Sequence, residues 1–369
     1  MGTGRNLFLY PFSLLYGLIT DIRNFLFNSG ILQSHEFSIP IICVGNITVG
    51  GTGKTPHTEY LVHLLKTDFK VAVLSRGYKR SSRGFQTASG DSSVKDIGDE
   101  PLQIFRKFRD ILVVVDSNRV HGVKTILKEH PDIEVIILDD GFQHRSIKPG
   151  LSILLSDYYN PVVSDHLMPY GSLRESKKNI NRADVIIITK SPDKISPIIQ
   201  RLIVKEIKKA PSQSLFFTSV MYKDPLPVFS ENSSAILTLA DLKPDICGIV
   251  LVTGIANPSP LKEYLRQYSE EIFHLDFSDH HCFTEKDINK IRDAFSALRS
   301  PLKYVFTTEK DSIRLVEFAN IADPLKRTLY YFPVEIDFLR KEKNIFDKLI
   351  YDYVRKSKRN NRVSESKGN

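Results

Sequence analysis

Six consecutive residues, Gly50-Gly51-Thr52-Gly53-Lys54-Thr55, constrain this chain more than any other stretch. They follow an apolar, β-branched run at Ile39–Val44 and lead into Thr55–Lys66, where Tyr60, Leu61, Leu64 and Leu65 recur at helical spacing. A glycine-rich loop between a buried strand and a helix lets backbone N–H groups close around phosphate oxygens, and the helix N-terminus adds positive potential at the same point. The loop Thr48, Val49, Gly50, Gly51, Thr52, Gly53, Lys54 and Thr55 is therefore read as a nucleoside triphosphate site. Lys54 reaches the β- and γ-phosphates, and the Thr55 hydroxyl ligates magnesium. The strict pattern has glycine at position 48, where this chain has Thr48. Related loops tolerate a small residue there. A glycine turn beside a surface lysine is the bland alternative, and it leaves the strand–loop–helix context unexplained.

The rhythm after Ser38 supports this reading. Apolar strands at Lys70–Leu74, Ile111–Val115, Val135–Leu138, Leu151–Leu155 and Val185–Ile188 alternate with helical stretches such as Val120–Lys128. Continuous apolar strands separated by helices imply a mostly parallel sheet covered on both faces. Pro225, Pro227 and Pro244 interrupt the pattern, and a second α/β pattern follows. Its strands lie at Ile249–Val252, Ile272–Leu275, Tyr304–Phe306 and Leu329–Phe332, and its helices at Pro260–Tyr268 and Glu285–Leu298. The expected fold is two α/β/α domains. The first is a P-loop NTPase-type mostly parallel sheet and the second is smaller and Rossmann-like, joined by a β-ribbon-type connector. The expected boundaries are an apolar N-terminal region at 1–37, the P-loop domain at 38–210, the connector at 211–245, the second domain at 246–343, and a closing helix with basic tail at 344–369.

Several polar clusters fall at strand ends. Val135–Leu138 runs into Asp139-Asp140, where P-loop proteins place a magnesium-organising aspartate. Gly141, Phe142, Gln143, His144 and Arg145 follow at the sheet edge where ligands bind. Gln143 and His144 are candidates to hold substrate or the aspartate pair, against a bland reading of His144 as loop structure. Asp99 and Glu100, in Gly98-Asp99-Glu100-Pro101, read as a helix cap on their own. Beside a triphosphate site, one suits the base that an acceptor hydroxyl needs and the other a second magnesium ligand. Arg76, Arg119 and Arg174 all follow strands or lie in Gly/Pro-rich loops, and any of them suits a phosphate clamp. Asp279-His280-His281 pairs an acid with tunable imidazoles, against a bland reading of two loop histidines. Thr307–Asp311 is read as a hinge or cleft element, and Thr189–Asp193 as a faint echo of base-reading loops.

The formal charge is +8, with part of the excess in Arg355-Lys356-Ser357-Lys358-Arg359. Basic chains suit nucleic acid, anionic lipid or acidic substrates. No basic motif interleaved with aromatics is present, so nucleic acid is not expected. No stable protein partner is evident. Cys43, Cys247 and Cys282 are unpatterned, which fits a reducing compartment rather than a zinc or disulfide framework. Leu7–Thr20 is apolar but shorter than the roughly 20 residues a spanning helix needs, and it contains Pro11. No small-residue cleavage site follows, which argues against a secretory signal. The segment reads equally as an interfacial helix lying on a membrane or as a helix packed on the protein's own core.

Taken in order, these blocks resemble the lipid A 4′-kinase family, the tetraacyldisaccharide 4′-kinases. The resemblance is carried by Val44-Gly45-Asn46 running into the P-loop, Ser75-Arg76-Gly77-Tyr78, Gly98–Pro101, and Leu138–Arg145. Pro169–Glu175, Arg182-Ala183-Asp184, Thr253–Pro258, Asp279–His281 and Thr308–Asp311 continue it across most of the chain. It implies ATP- and magnesium-dependent phosphorylation of the 4′-hydroxyl of a tetraacylated glucosamine disaccharide 1-phosphate, a lipid A precursor. It further implies peripheral attachment to the cytoplasmic face of an inner membrane with an anionic surface, and so an interfacial N-terminal helix. Asp99 would be the catalytic base, supported by His280, with His281 adjacent. Glu100 and Asp139 would organise magnesium with Thr55, while Arg76, Arg119, Asp140, Gln143, His144 and Arg174 would line the cleft. The competing reading is a membrane-associated P-loop ATPase or switch with no lipid acceptor.

Overall fold

The computed structural model describes residues 6–229, 237–318, 321 and 323–366, so residues 230–236 of the expected connector fall outside it. The chain divides into two compact units, residues 1–220 with 336–369, and residues 221–335.

The first unit is built on a nine-stranded sheet. Its strands are β1 (Ile41–Gly45), β2 (Val71–Ser75), β3 (Gln86–Thr87), β4 (Leu112–Val115), β5 (Val135–Asp139), β6 (Leu151–Asp157), β7 (Val185–Thr189) and β8 (Ser214–Tyr222), with an edge strand at Val334–Phe338. Across the sheet they run from that edge strand through β8, β7, β6, β1, β5, β2 and β4 to β3. Every pairing from β8 to β4 is parallel, and β3 pairs antiparallel with β4. Residues of β1, β2, β5, β6 and β7 are buried throughout, as expected of strands covered on both faces. Ile41, Cys43, Leu74, Val114 and Ile136 pack with Val123 and Ile126 of the helix Arg119–Glu129. Leu154, Ile186, Ile188 and Phe217 form a second cluster with Phe142, Leu173 and Ile207.

Two long-range features alter the expected boundaries. The segment read as a connector contributes β8 to the first sheet. The closing helix, Lys343–Ser366, also belongs to the first unit. Its Phe346 packs against Tyr60, Phe216 and Phe338. The Tyr353 hydroxyl donates to the Ile41 carbonyl at 3.0 Å and accepts from the Ile41 N–H at 3.0 Å.

The helix Tyr10–Asn28 is amphipathic in the reverse sense. Its buried residues are Ser13, Gly17 and Asn24. Its exposed residues include Phe12, Leu14, Leu15, Leu18, Ile19, Ile22 and Phe25, preceded by Leu7 and Phe8. The inward face is held by polar contacts: Tyr170 N–H to Ser13 Oγ at 2.8 Å, Asn24 Nδ2 to Glu175 at 3.2 Å, and Arg145 to the Asn24 carbonyl at 2.9 Å. The apolar residues are therefore not packed on the protein's own core. Among the described residues, no helix is long and apolar enough to cross a membrane.

The second unit holds β9 (Leu226–Pro227), β10 (Cys247–Thr253), β11 (Glu271–Asp276), β12 (Leu302–Thr308) and β13 (Leu329–Phe332), arranged β11-β10-β12-β13-β9. β9 pairs antiparallel with β13, and the other neighbours in this order pair in parallel among the described residues. Val250, Val252 and Val305 pack against Ile288 and Ile291 of the helix Glu285–Ala297, which matches the smaller Rossmann-like reading.

One close approach in the first unit is decisive for its fold. A Cβ on Gly45 would lie 2.6 Å from Phe142 Cβ and 2.9 Å from its backbone nitrogen. Gly45→Ala is expected to lower stability by about 1–3 kcal/mol through overpacking. Chemical denaturation checks this, and an unchanged midpoint would mean that the Phe142 turn moves aside freely.

Candidate active site

Strand β1 lies between β5 and β6, with Val44 in register with Asp139. The loop after β1 and the acidic turn after β5 therefore leave the carboxyl edge of the sheet side by side, where the strand order reverses. Gly50 and Gly53 have φ of 106° and 85°. That left-handed backbone favours glycine. Gly53 immediately precedes the helix Lys54–Leu65, which carries Lys54 and Thr55 in its first turn. Thr48 has a part that glycine cannot play. It is buried and bridges to Leu173, and its hydroxyl accepts from Asn46 Nδ2 at 3.2 Å. The same amide donates to Thr52 Oγ1 at 2.8 Å, so Asn46 braces both ends of the loop. Val49 is exposed, and its N–H donates to the Ser172 carbonyl at 2.8 Å.

Asp139 is fully buried at the end of β5 and accepts from Thr58 Oγ1 at 3.1 Å and Ser75 Oγ at 3.3 Å. Burial pushes its carboxyl up to about 7, and the negative charges of Glu100 and Asp140 act in the same direction while Lys54 opposes them. Asp140 has φ of 49°, and its carboxylate lies 3.7 Å from Lys54 Nζ and 3.4 Å from Arg174. Lys54 is thus paired with Asp140 at the mouth of the loop.

Asp99 and Glu100 form the first turn of a helix, Asp99–Lys107, in keeping with the helix start their spacing suggests. Asp99 is buried and accepts from the Glu100 N–H at 3.0 Å. Gly77 and Gly98 bring two loop motifs into contact. A Cβ on Gly98 would meet the Tyr78 carbonyl at 3.0 Å, and one on Gly77 would meet the Ile97 carbonyl at 2.9 Å. The turn after β2 thus packs backbone against backbone on the turn that carries Asp99.

Thr55, Glu100 and Asp139 offer oxygen donors only, which suits a hard dication. Among the described residues, no three His, Cys, Asp or Glu side chains form a complete metal cage. Magnesium retains water and substrate phosphate oxygens, so a hydroxyl with two carboxylates fits it. The carboxylate crowding that raises Asp139 is what such a cation relieves.

The cations divide by burial. Arg76 is exposed just past β2. Arg119 is only 2% exposed and donates to the carbonyls of Asp116 at 2.6 Å and Asp139 at 3.3 Å. Burial lowers its pKa to about 10, with Asp139 and Asp140 opposing. Its charge therefore sits behind the acidic turn and fixes that turn's backbone. Gln143 donates to the Asn46 carbonyl, while its own carbonyl accepts from Arg23 at 3.1 Å. His144 pairs with Ser146 at 2.8 Å, and burial, with Arg119, Arg23 and Arg76 nearby, pulls its pKa down to about 4. It is neutral at physiological pH.

In the second unit the two histidines differ. His281 Nε2 meets Asp287 at 3.0 Å, and its ring stacks on Phe277 at 4.7 Å between centroids. His280 has φ of 57°, and its Nε2 lies 2.9 Å from Lys310 Nζ. Asp311 is wholly buried, accepting from the Gly254 N–H at 2.9 Å and Thr308 Oγ1 at 2.6 Å, and it pairs with Arg314 at 3.0 Å. The Thr307–Asp311 segment thus anchors the His280 turn through Asp311 and Lys310. Sequence reasoning gave no role to Thr58 or to Ser75's hydroxyl. Thr58 lies four residues beyond Lys54, a helical spacing that would have placed it one turn along the same helix.

The comparisons with known proteins agree with this geometry. The family model for tetraacyldisaccharide-1-P 4′-kinase matches residues 5–354. A tetraacyldisaccharide 4′-kinase of Bacteroides thetaiotaomicron is 46% identical over 97% of this chain and 95% of its own. One of Flavobacterium johnsoniae is 41% identical over 95% of this chain and 97% of its own. The crystal structure of LpxK from Aquifex aeolicus in complex with ATP superposes with a TM-score of 0.70 at 28% identity, covering 94% of this chain and 98% of that one. With its phosphate loop, acidic turn and Asp99 helix so placed, the chain belongs to the tetraacyldisaccharide-1-P 4′-kinase family.

Proposed function

We propose that this protein transfers the γ-phosphate of ATP to the 4′-hydroxyl of a tetraacyldisaccharide 1-phosphate, a step in lipid A biosynthesis. The observation that carries the reading is the juxtaposition of β1 and β5, which sets Lys54 beside the Asp139-Asp140 pair. Lys54 exchanges Asp140 for the β- and γ-phosphates when nucleotide arrives. Thr55, Glu100 and Asp139 would hold magnesium, which when bound would neutralise phosphate charge. Asp99 accepts the proton of the acceptor hydroxyl. The hydroxyl oxygen bonds to the γ-phosphorus, and the bond from that phosphorus to the β–γ bridging oxygen breaks as ADP leaves. Arg76 and Arg174 serve as clamps for phosphate. Arg119, Gln143 and His144 shape the cleft rather than exchange protons. His280 is the histidine assigned to catalysis, and His281 holds the local fold.

The N-terminal helix is the membrane contact in this reading. A helix with polar residues inward and a broad apolar face outward is stable only where that face meets something other than water. The net charge of +8 favours an anionic surface. The location proposed is peripheral, on the cytoplasmic face of the inner membrane.

Incubation with labelled ATP and a tetraacyldisaccharide 1-phosphate tests the reaction. Label in the lipid is expected, and release of free phosphate alone would overturn it. Asp99→Ala is expected to slow transfer by about 10²–10⁴-fold with ATP affinity retained. Lost ATP binding would make Asp99 a nucleotide ligand instead. His280→Ala should lower turnover, whereas His281→Ala should lower the unfolding midpoint. Replacing Leu14, Leu18 and Ile22 with serine is expected to reduce sedimentation with anionic vesicles while activity on detergent-dispersed substrate persists. Equal vesicle binding would remove the helix from the membrane contact.

Asp139 gives a pH signature. In magnesium-free protein its folded-state pKa is raised to about 7, so the folded state keeps a proton that the unfolded chain has lost. Stability falls as pH climbs from about 4 to about 7 on this account. Asp139→Asn abolishes that loss, so its unfolding midpoint should gain on the parent between about pH 5 and pH 8 in magnesium-free buffer. A pH-independent difference would show that neighbouring cations already neutralise the carboxylate.

A further inference from the structure

Three successive carbonyls of the phosphate loop are each held by a side chain that the reaction does not use. Lys190 Nζ donates to the Gly51 carbonyl. Thr189 Oγ1 donates to the Thr52 carbonyl at 2.9 Å. His57 Nδ1 lies 2.7 Å from the Gly53 carbonyl. A carbonyl can only accept, so Nδ1 carries the imidazole proton and Nε2 accepts from the Thr218 hydroxyl at 3.1 Å.

The donors are themselves fixed. Lys190 pairs with Asp157 at 2.8 Å and has φ of 54°, a left-handed backbone uncommon outside glycine. Thr189 ends β7, Thr218 lies on neighbouring β8, and the Ser191 N–H donates to the Thr218 carbonyl at 2.8 Å. His57, Thr189 and Thr218 are all buried. The loop's sequence neighbour in space is thus the carboxyl edge of β7 and β8, on the side away from Asp139.

In a trans peptide, C=O and N–H point in opposite directions. Holding one carbonyl therefore aims the next residue's N–H the other way. Thr189 fixes the Gly53 N–H by this route, and His57 fixes the Lys54 N–H. Lys190 fixes the peptide of Thr52, whose N–H donates to the Gly50 carbonyl at 3.0 Å. Glycines alone permit an anion hole but also permit its collapse, because each has many accessible conformations. Outward ties on the carbonyls remove that freedom before the nucleotide arrives, which is preorganisation.

We propose that Thr189, Lys190 and His57 are positioning residues that hold the phosphate loop open for the β- and γ-phosphates of ATP. They act through the backbone and need not touch the nucleotide.

Equilibrium ATP binding and steady-state kinetics on the full chain test this. Thr189→Val keeps the shape of the side chain and removes its hydroxyl. It is expected to weaken ATP binding about three- to tenfold, the worth of a single hydrogen bond. KM for the lipid acceptor should be unchanged, and Thr189→Ser should restore ATP affinity. Lys190→Ala should weaken ATP binding about tenfold or more. The proposal fails if both variants bind ATP within twofold of the parent. It also fails if Thr189→Ser weakens binding as much as Thr189→Val, because packing rather than the hydroxyl would then be responsible. Should Lys190→Ala not fold, the isosteric Thr189→Val and Thr189→Ser pair decides the matter alone.

Discussion

The parallel pairing of β1 with β5 is the constraint on which the rest of the first unit depends. It matches Val44 with Asp139, so two turns separated by about ninety residues of chain emerge at one edge. Neither turn is functional alone. The phosphate loop brings a lysine that needs a counter-charge, and the acidic turn brings carboxylates that repel one another. Lys54 and Asp140 face each other across 3.7 Å. Such a loose, partly solvated pair costs little to break, so a more highly charged ligand can displace it. The neighbouring elements serve that juxtaposition. Gly45 lets Phe142 approach, Gly77 and Gly98 let two turns stack, and Arg119 ties the carbonyls of Asp116 and Asp139 together from behind.

Much of this was legible in the sequence, because the signals were local. A strand, a glycine loop and a helix in direct succession announce a phosphate site, and alternating apolar strands announce a parallel sheet. The block Leu138–Arg145 carried the family resemblance, and the comparisons bear that family out. What escaped was set by long-range packing or by departures from amphipathicity. The helix Pro197–Ile207 was not read from the sequence because Ile198, Ile199 and Leu202 face outward. The return of Val334–Phe338 to the first sheet, and the docking of Tyr353 onto Ile41, depend on partners some three hundred residues away in the latter case. No window of sequence contains both members of such a pair.

Arginine gave the least dependable signal. Residue type and placement made Arg76, Arg119 and Arg174 equivalent candidates for gripping phosphate. Burial separates them. Arg119 has given its donors to backbone carbonyls, Arg174 leans on Asp140, and Arg76 stands exposed at the end of β2. A guanidinium can act as ligand, counter-ion or internal strut, and the choice is made by what surrounds it. The histidines show the same effect. His281 is engaged by Asp287 and Phe277, which leaves the neighbouring His280, paired with Lys310, as the distinct one of the two.

The reversed helix at Tyr10–Asn28 carries a consequence for control. Its inward hydrogen bonds do not end on inert scaffold. Tyr16 donates to the carbonyl of Arg174 at 3.0 Å, and Arg23 donates to the carbonyl of Gln143 at 3.1 Å. Both recipients belong to segments that border the phosphate loop. The seating of the helix and the posture of the cleft are thus mechanically one system, joined by two short polar links. A shift of the helix along its axis would therefore be felt at the backbone of Arg174 and Gln143 before it reached any side chain of the cleft.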